Sequence, residues 1–215
     1  MFLVVVAIGM LVAGCACRAD PRHSSVPSED TLRAMLLVAE DLGEGWTAIG
    51  EGTSPVEASA REMLCPLGRS LTLLDVDTVT TASFVYRAAV SSSAEAPIVV
   101  EELSAVPAAE AERFMSEARR SIEDCIGEEW QTPEGQDVAL ESLVLSGVGD
   151  SAIGYRMVVD VPSPARRTLV DVALVRVDTV VARLIVTSAE PTVARSFDFG
   201  SLIDASVEKI SLSAN

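Results

Sequence analysis

Apolar residues recur at three- and four-residue spacing in three stretches of the chain and at alternate positions in most of the rest. The first helical stretch covers about 29–42, with Leu32, Met35, Leu36 and Ala39 on one face, Ser28 placed to cap it, and Gly43 and Gly45 ending it before Trp46. Residues 50–60 read as loop, and the stretch from Arg61 to Leu74 fits neither period around Cys65-Pro66. From Thr80 the period changes to two, and Ala82, Phe84 and Tyr86 predict a half-buried strand, followed by a second over 98–106. Pro107 opens an amphipathic helix with Ala111, Phe114, Ala118, Ile122, Cys125 and Ile126 on its inward face, ended by Gly127. Further strands follow at 138–146, 153–161, 167–176 and 180–187, the last two joined tightly at Val177-Asp178-Thr179. A final helix over about 198–211 has Asp198 as its cap and Phe199, Ile203, Val207 and Ile210 inward. Connections this short require antiparallel neighbours. The order αββαββββα therefore predicts an α+β domain, a largely antiparallel sheet with its helices on one face.

A different pattern precedes all of this. The unbroken apolar run from Phe2 to Ala13 is too short for the roughly 20 residues of a membrane-crossing helix and fits the apolar region of a signal peptide. It ends in Leu11-Val12-Ala13-Gly14-Cys15, which looks like a bacterial lipobox, where an exported chain is cut before a cysteine that carries an acyl chain such as palmitate. No Lys or Arg stands before the run, in departure from the usual signal. The expected organisation is a signal peptide over 1–14, a flexible lipid-anchored tether over 15–28 and one extracytoplasmic domain over 29–215, with Cys15 as the lipid attachment residue. In an oxidising exterior Cys65 and Cys125 are expected to pair in one disulfide. Cys17 is left over in the tether.

Composition narrows the chemistry more than it defines it. The formal charge of -16 lies entirely beyond Cys15, which disfavours nucleic acid as a partner because its phosphates would be repelled. The only histidine, His23, falls in the tether, so a Ser-His-acid hydrolase has no held base, and no Gly-x-Ser-x-Gly elbow occurs. One histidine and two paired cysteines do not make a zinc site, and no other metal or cofactor is expected. Gly147-Val148-Gly149-Asp150-Ser151-Ala152, with Asp171 further on, imitates a dinucleotide fingerprint, but a strand pattern follows where a helix is required, so it reads as a turn. The acidic pairs Glu40-Asp41, Asp75/Asp77, Glu101-Glu102 and Glu128-Glu129 read as solvated faces; a carbohydrate-cleaving carboxylate pair would want more aromatic platforms than two Trp and two Tyr provide. Trp46, Tyr86, Trp130 and Tyr155, with Arg87 and Arg156, are candidates for lining a small-molecule pocket, set against core tyrosines with arginines on the solvent face.

The order of elements, with Leu36-Leu37, the run Asp41-Leu42-Gly43-Glu44-Gly45-Trp46, Cys65, Asp124-Cys125, Val148-Gly149-Asp150 and Tyr155-Arg156, resembles an actinobacterial family of extracytoplasmic sensor domains. The family is found on PknH-type serine/threonine kinases and on free-standing mycobacterial-type lipoproteins. The resemblance covers about 30–212 and implies an antiparallel sheet flanked by helices, a ligand cleft, no catalytic residues and a sensing or binding role at the cell envelope. Kinase-linked members look to have two disulfides, whereas this domain has cysteines for one. With no kinase domain in the sequence, any signal would pass through a separate membrane-protein partner. The leading expectation is a non-catalytic lipoprotein, tethered to the membrane by its lipid, that binds a small molecule, a lipid or a cell-wall component at residues the sequence does not single out. The alternatives are a docking or assembly lipoprotein without a ligand and an envelope hydrolase working with carboxylates.

Overall fold

The computed structural model describes residues 25–55, 61–62, 71–72, 78–86, 97–132, 135–162, 165–189 and 198–213. Cys15, Cys17, His23, Cys65, Asp75, Asp77 and Arg87 lie outside these residues, as do the signal peptide and most of the tether.

Helix α1 (Glu29–Met35) starts where Ser28 accepts the Thr31 N–H on its side chain, and its inner face buries Leu32 and Met35. It is shorter than the periodicity predicts. Leu36 is already extended, and Ala39–Leu42 is a separate turn of 3-10 helix. Strand β1 (Trp46–Pro55) takes in residues 50–55, the first half of the stretch expected to be loop. A two-stranded piece, β2 (Arg61–Glu62) and β3 (Leu71–Thr72), precedes β4 (Thr78–Tyr86) and β5 (Ile98–Ala105). Helix α2 (Ala108–Cys125) buries Ala111, Met115, Ala118, Ile122 and Cys125; Phe114 is only half-buried, and Ile126 is exposed because the chain turns extended at that residue. Strands β6 (Glu129–Gln131), β7 (Asp137–Leu143), β8 (Ser151–Pro162), β9 (Ala165–Val177) and β10 (Val180–Ala189) follow, then helix α3 (Phe199–Ser213). Asp198 caps α3 as expected, taking the N–H groups of Gly200 and Ser201 on Oδ1.

Eight strands form one antiparallel sheet in the order β1-β4-β5-β10-β9-β8-β7-β6. The α+β class and the antiparallel pairing agree with the sequence. The expectation that all helices lie on one face is overturned. Along β9, Val172 and Leu174 pack with α2, while Ala173 and Val175 pack with α1 and α3. Successive side chains point to opposite faces of a strand, so α2 covers one face and the α1/α3 pair covers the other. The physical reason is that β9 and β10 are apolar on both sides, a burden that helices on a single face could not cover.

The Gly147–Asp150 segment is the turn that the strand pattern implied. Gly149 has φ +54, and a Cβ there would fall 2.6 Å from the Arg176 carbonyl oxygen and 2.8 Å from Val175 Cγ1. The segment therefore lies directly on the end of the β9-β10 hairpin. Asp150 donates its N–H to the Arg176 carbonyl and accepts the Asp178 N–H on Oδ2 at 2.6 Å. Asp178 itself has φ 54, a left-handed residue in a two-residue hairpin turn. This explains the Val148-Gly149-Asp150 string: the glycine permits the close approach and the aspartate fastens the turn.

Candidate functional site

The aromatic residues singled out in the sequence do not converge. Tyr155 is 4% exposed in the core beneath α2, and Trp130 packs partly against the same cluster. Trp46 packs against the cluster of α1 and α3 and stands opposite Tyr86 in the register of β1 and β4. Strands β4 and β8 are separated by β5, β10 and β9, which at about 4.8 Å per step puts the two aromatic pairs roughly 19 Å apart or more. Arg156 is 30% exposed, on the face that, among the described residues, carries no helix over β8, as an arginine on the solvent side would be. It lies on the opposite side of β8 from Tyr155 and holds Asp171 with two bonds, Nε to Oδ1 at 2.6 Å and Nη2 to Oδ2 at 2.8 Å. Asp171 is 8% exposed, and its bond holds the Arg156 guanidinium above its ordinary pKa despite partial burial.

What the fold does build is a groove of about 590 Å³ over the β6-β7-β8 end of the sheet, lined by Glu129, Trp130, Gln131, Asp137, Val138, Ala139, Val158 and Asp160. Its position follows from the helices. On the α1/α3 face, α1 packs over β4 and β5 and α3 over β9 and β10, so helix cover among the described residues stops short of the last three strands. The register sets Glu129 beside Ala139 and Val158, and Gln131 beside Asp137 and Asp160, which gives the groove a mainly acidic floor. Gln131 Nε2 donates to Asp137 Oδ1 at 2.8 Å, and Arg167 grips Asp160 with bonds of 2.8 and 3.0 Å. That grip lowers the Asp160 pKa and raises that of Arg167. Both arginines bordering the groove thus carry a carboxylate already, and the lining brings two more acidic side chains, Glu129 and Asp137. An anion would meet repulsion there; a neutral or cationic polar group would meet acceptors and one amide.

A second cleft, about 210 Å³, opens between the end of α2 and strands β7 and β8. Its lining combines Ile122, Ile126, Leu143, Val144 and Leu145 with Arg119, Glu123 and Ser142, and Val144 is 90% exposed.

The acidic pairs divide differently from the solvated faces expected. Glu40, Glu128 and Glu129 are exposed. Glu102 on β5 pairs with Arg183 of β10 at 2.6 Å. Glu101 is 0% exposed, inside the core between the sheet and the α1/α3 helices. The alternating burial of β5 was the signal available for that, since Glu101 falls in step with Val99 and Leu103. No cluster of three metal-ligating side chains occurs among the described residues, and none of their helices is long and apolar enough to cross a membrane. Of the expected site residues, Cys125 lies buried in α2, while Cys15 and Cys65 lie outside the description.

The architecture is a three-layer α+β domain in which an eight-stranded antiparallel sheet lies between α2 and the α1/α3 pair. The same fold occurs in the crystal structure of the extracellular domain of PknH from Mycobacterium tuberculosis, with a TM-score of 0.62 and 13% identity over 88% of this chain and 99% of that one. The Saccharomyces cerevisiae Ran-binding protein Mog1p aligns over 76% of this chain and 92% of its own with 14% identity, but its TM-score of 0.26 carries no argument. No protein-family model matches the chain, and no curated protein matches its sequence.

Proposed function

We propose that this chain is a lipid-anchored envelope protein whose domain senses or binds a ligand outside the cytoplasm without catalysis. The observation that carries the reading is the sharing of its fold, across nearly the whole of both chains, with a domain that is extracellular in a kinase. The β6-β8 groove is the place for a ligand, and its acidic lining favours a neutral or cationic polar one. Cys15 carries the lipid and Cys65 pairs with Cys125. The pairing is supported by the contact between α2, which carries Cys125, and β3, whose first residue is six beyond Cys65. Native mass spectrometry of the protein taken from its own membranes tests the binding role. A co-purified molecule lost on Asp137→Lys supports it, and a consistently empty chain overturns it. Labelled fatty acid should appear on the protein and vanish with Cys15→Ala.

A second reading, docking on a membrane protein, draws on the exposed apolar side chains Val144 and Ile126 beside the second cleft. Under it, Val144→Asp would abolish co-purification of a membrane partner and leave the fold intact. Unchanged co-purification would count against it.

A further inference from the structure

We infer that Glu101 is a proton-taking clasp, which fastens the segment after α1 and helix α3 to the middle of the sheet and tightens that packing as the medium acidifies. The inference goes beyond the binding role and depends on neither the groove nor the anchor. Glu101 Oε2 accepts the Leu37 N–H at 2.6 Å and Oε1 accepts the Ser206 hydroxyl at 2.6 Å, from positions 64 and 105 residues away in sequence. The side chain is fully buried in the same cluster as Leu37, Leu103, Leu184 and Ile203. One carboxyl thus joins three elements that the chain visits near its start, in its middle and near its end.

A charge in that position is costly, whereas a neutral carboxyl keeps both contacts. Its carbonyl oxygen still accepts the Leu37 N–H, and its O–H donates to the Ser206 oxygen, which can accept as readily as it donates. The proton comes from the medium and no other group changes state. Among the described residues, two charged groups act on the clasp. Lys209 of α3 favours the ionised form, Asp41 of the 3-10 turn opposes it, and these two hold each other at 2.6 Å. The lateral neighbours in the register, Ala82 on β4 and Leu184 on β10, and the buried residues Leu32, Met35 and Leu36 of the α1 segment bring no charge. Burial outweighs the two hydrogen bonds and the Lys209 charge, so the carboxyl's pKa stands above the ordinary value. The folded chain therefore holds a proton that the unfolded chain has released, from about pH 4.3 up to the folded pKa. Stability contributed here is greatest at the acid end of that window and is lost as pH rises through the folded pKa.

Urea unfolding of the full chain and of Glu101→Gln, across pH 4 to 8, tests the clasp. Glutamine keeps the shape, accepts the Leu37 N–H, donates to Ser206 and never ionises. The ratio of wild-type to variant folding constants is expected to be flat below about pH 4.3 and then to fall about tenfold per pH unit within the window. The Leu37 amide, corrected for intrinsic exchange, should lose protection over the same range in the wild type alone. A ratio that is constant from pH 4 to 8, or that rises with pH, overturns the inference. If the glutamine variant does not fold, Ser206→Ala decides: it removes a bond that favours the ionised carboxyl, so the pH-dependent fall, which starts from the same unfolded value, must continue to higher pH than in the wild type. An unshifted profile overturns the inference.

Discussion

Asp41 and Glu101 sit at one corner of the fold and answer acid in opposite ways. Burial alone would raise the Asp41 pKa, but the Lys209 hydrogen bond, the Val38 N–H and the Lys209 charge together lower it. Its contribution is present above the unfolded value of about 3.9 and is lost as pH falls through its folded pKa. Lys209 is the chain's only lysine and ties α3 to the 3-10 turn through this carboxylate. Asp41→Ala should destabilise by about 1–2 kcal/mol at neutral pH, discounted for partial exposure, because it also strands the Val38 N–H. A double-mutant cycle with Lys209→Met in urea should return a coupling below about 1 kcal/mol, and a much larger value would mean that the pair is better shielded than its geometry indicates. At the other end of the sheet, Gly149→Ala adds a methyl where the Arg176 carbonyl stands and imposes a left-handed alanine. A loss of about 2–4 kcal/mol is expected from strain and overpacking together, read as a fall in the urea midpoint.

Single elements were legible where one physical demand dominated. Helix α2 announced itself because its apolar stripe, opening proline and closing glycine agree, and the β9-β10 hairpin because two apolar runs flank a two-residue turn. Strand β1 was hidden because Trp-Thr-Ala-Ile-Gly-Glu-Gly-Thr-Ser-Pro lacks alternation; as an edge strand with a register shift between Ala48 and Gly50, it meets weaker demands than an inner one. Strand β6 is three residues long, below any period that could be counted. The groove was illegible for a related reason: it is made by where helices stop, which no local pattern records. The two-sided cover of the sheet could have been found. Ala173, Leu174 and Val175 are consecutive and all buried, and an unbroken apolar run in a strand means that both faces need cover. Ser28→Ala removes the cap of α1 and should cost about 1 kcal/mol, with the effect confined to amides of the α1 segment in hydrogen exchange.

For the molecule as a whole, the sheet is a shared wall between two cores, and that decides how it should unfold. Ile122→Ala on the α2 side and Leu184→Ala on the α1/α3 side should each cost about 2–5 kcal/mol. Trp46 packs against one cluster and Trp130 against the other, so Trp46→Phe and Trp130→Phe variants give each core its own fluorescent reporter. The two transitions should coincide in urea, and separate midpoints would show that the faces melt independently. The proposed Cys65-Cys125 bridge closes a loop of roughly 60 residues and would contribute on the order of 4 kcal/mol in the chain-entropy model. Reductant should therefore lower the midpoint in wild type and leave the Cys65→Ala, Cys125→Ala double variant unchanged.

The first and last helices of the domain touch each other on one face of the sheet. That adjacency makes the domain a natural subject for circular permutation: a short linker could join the end of α3 to the start of α1, and new ends could be opened between β6 and β7. Of the strand ladders, only the three-residue one between β6 and β7 would then join opposite ends of the permuted chain, so folding would keep its long ladders while the groove gained an openable wall.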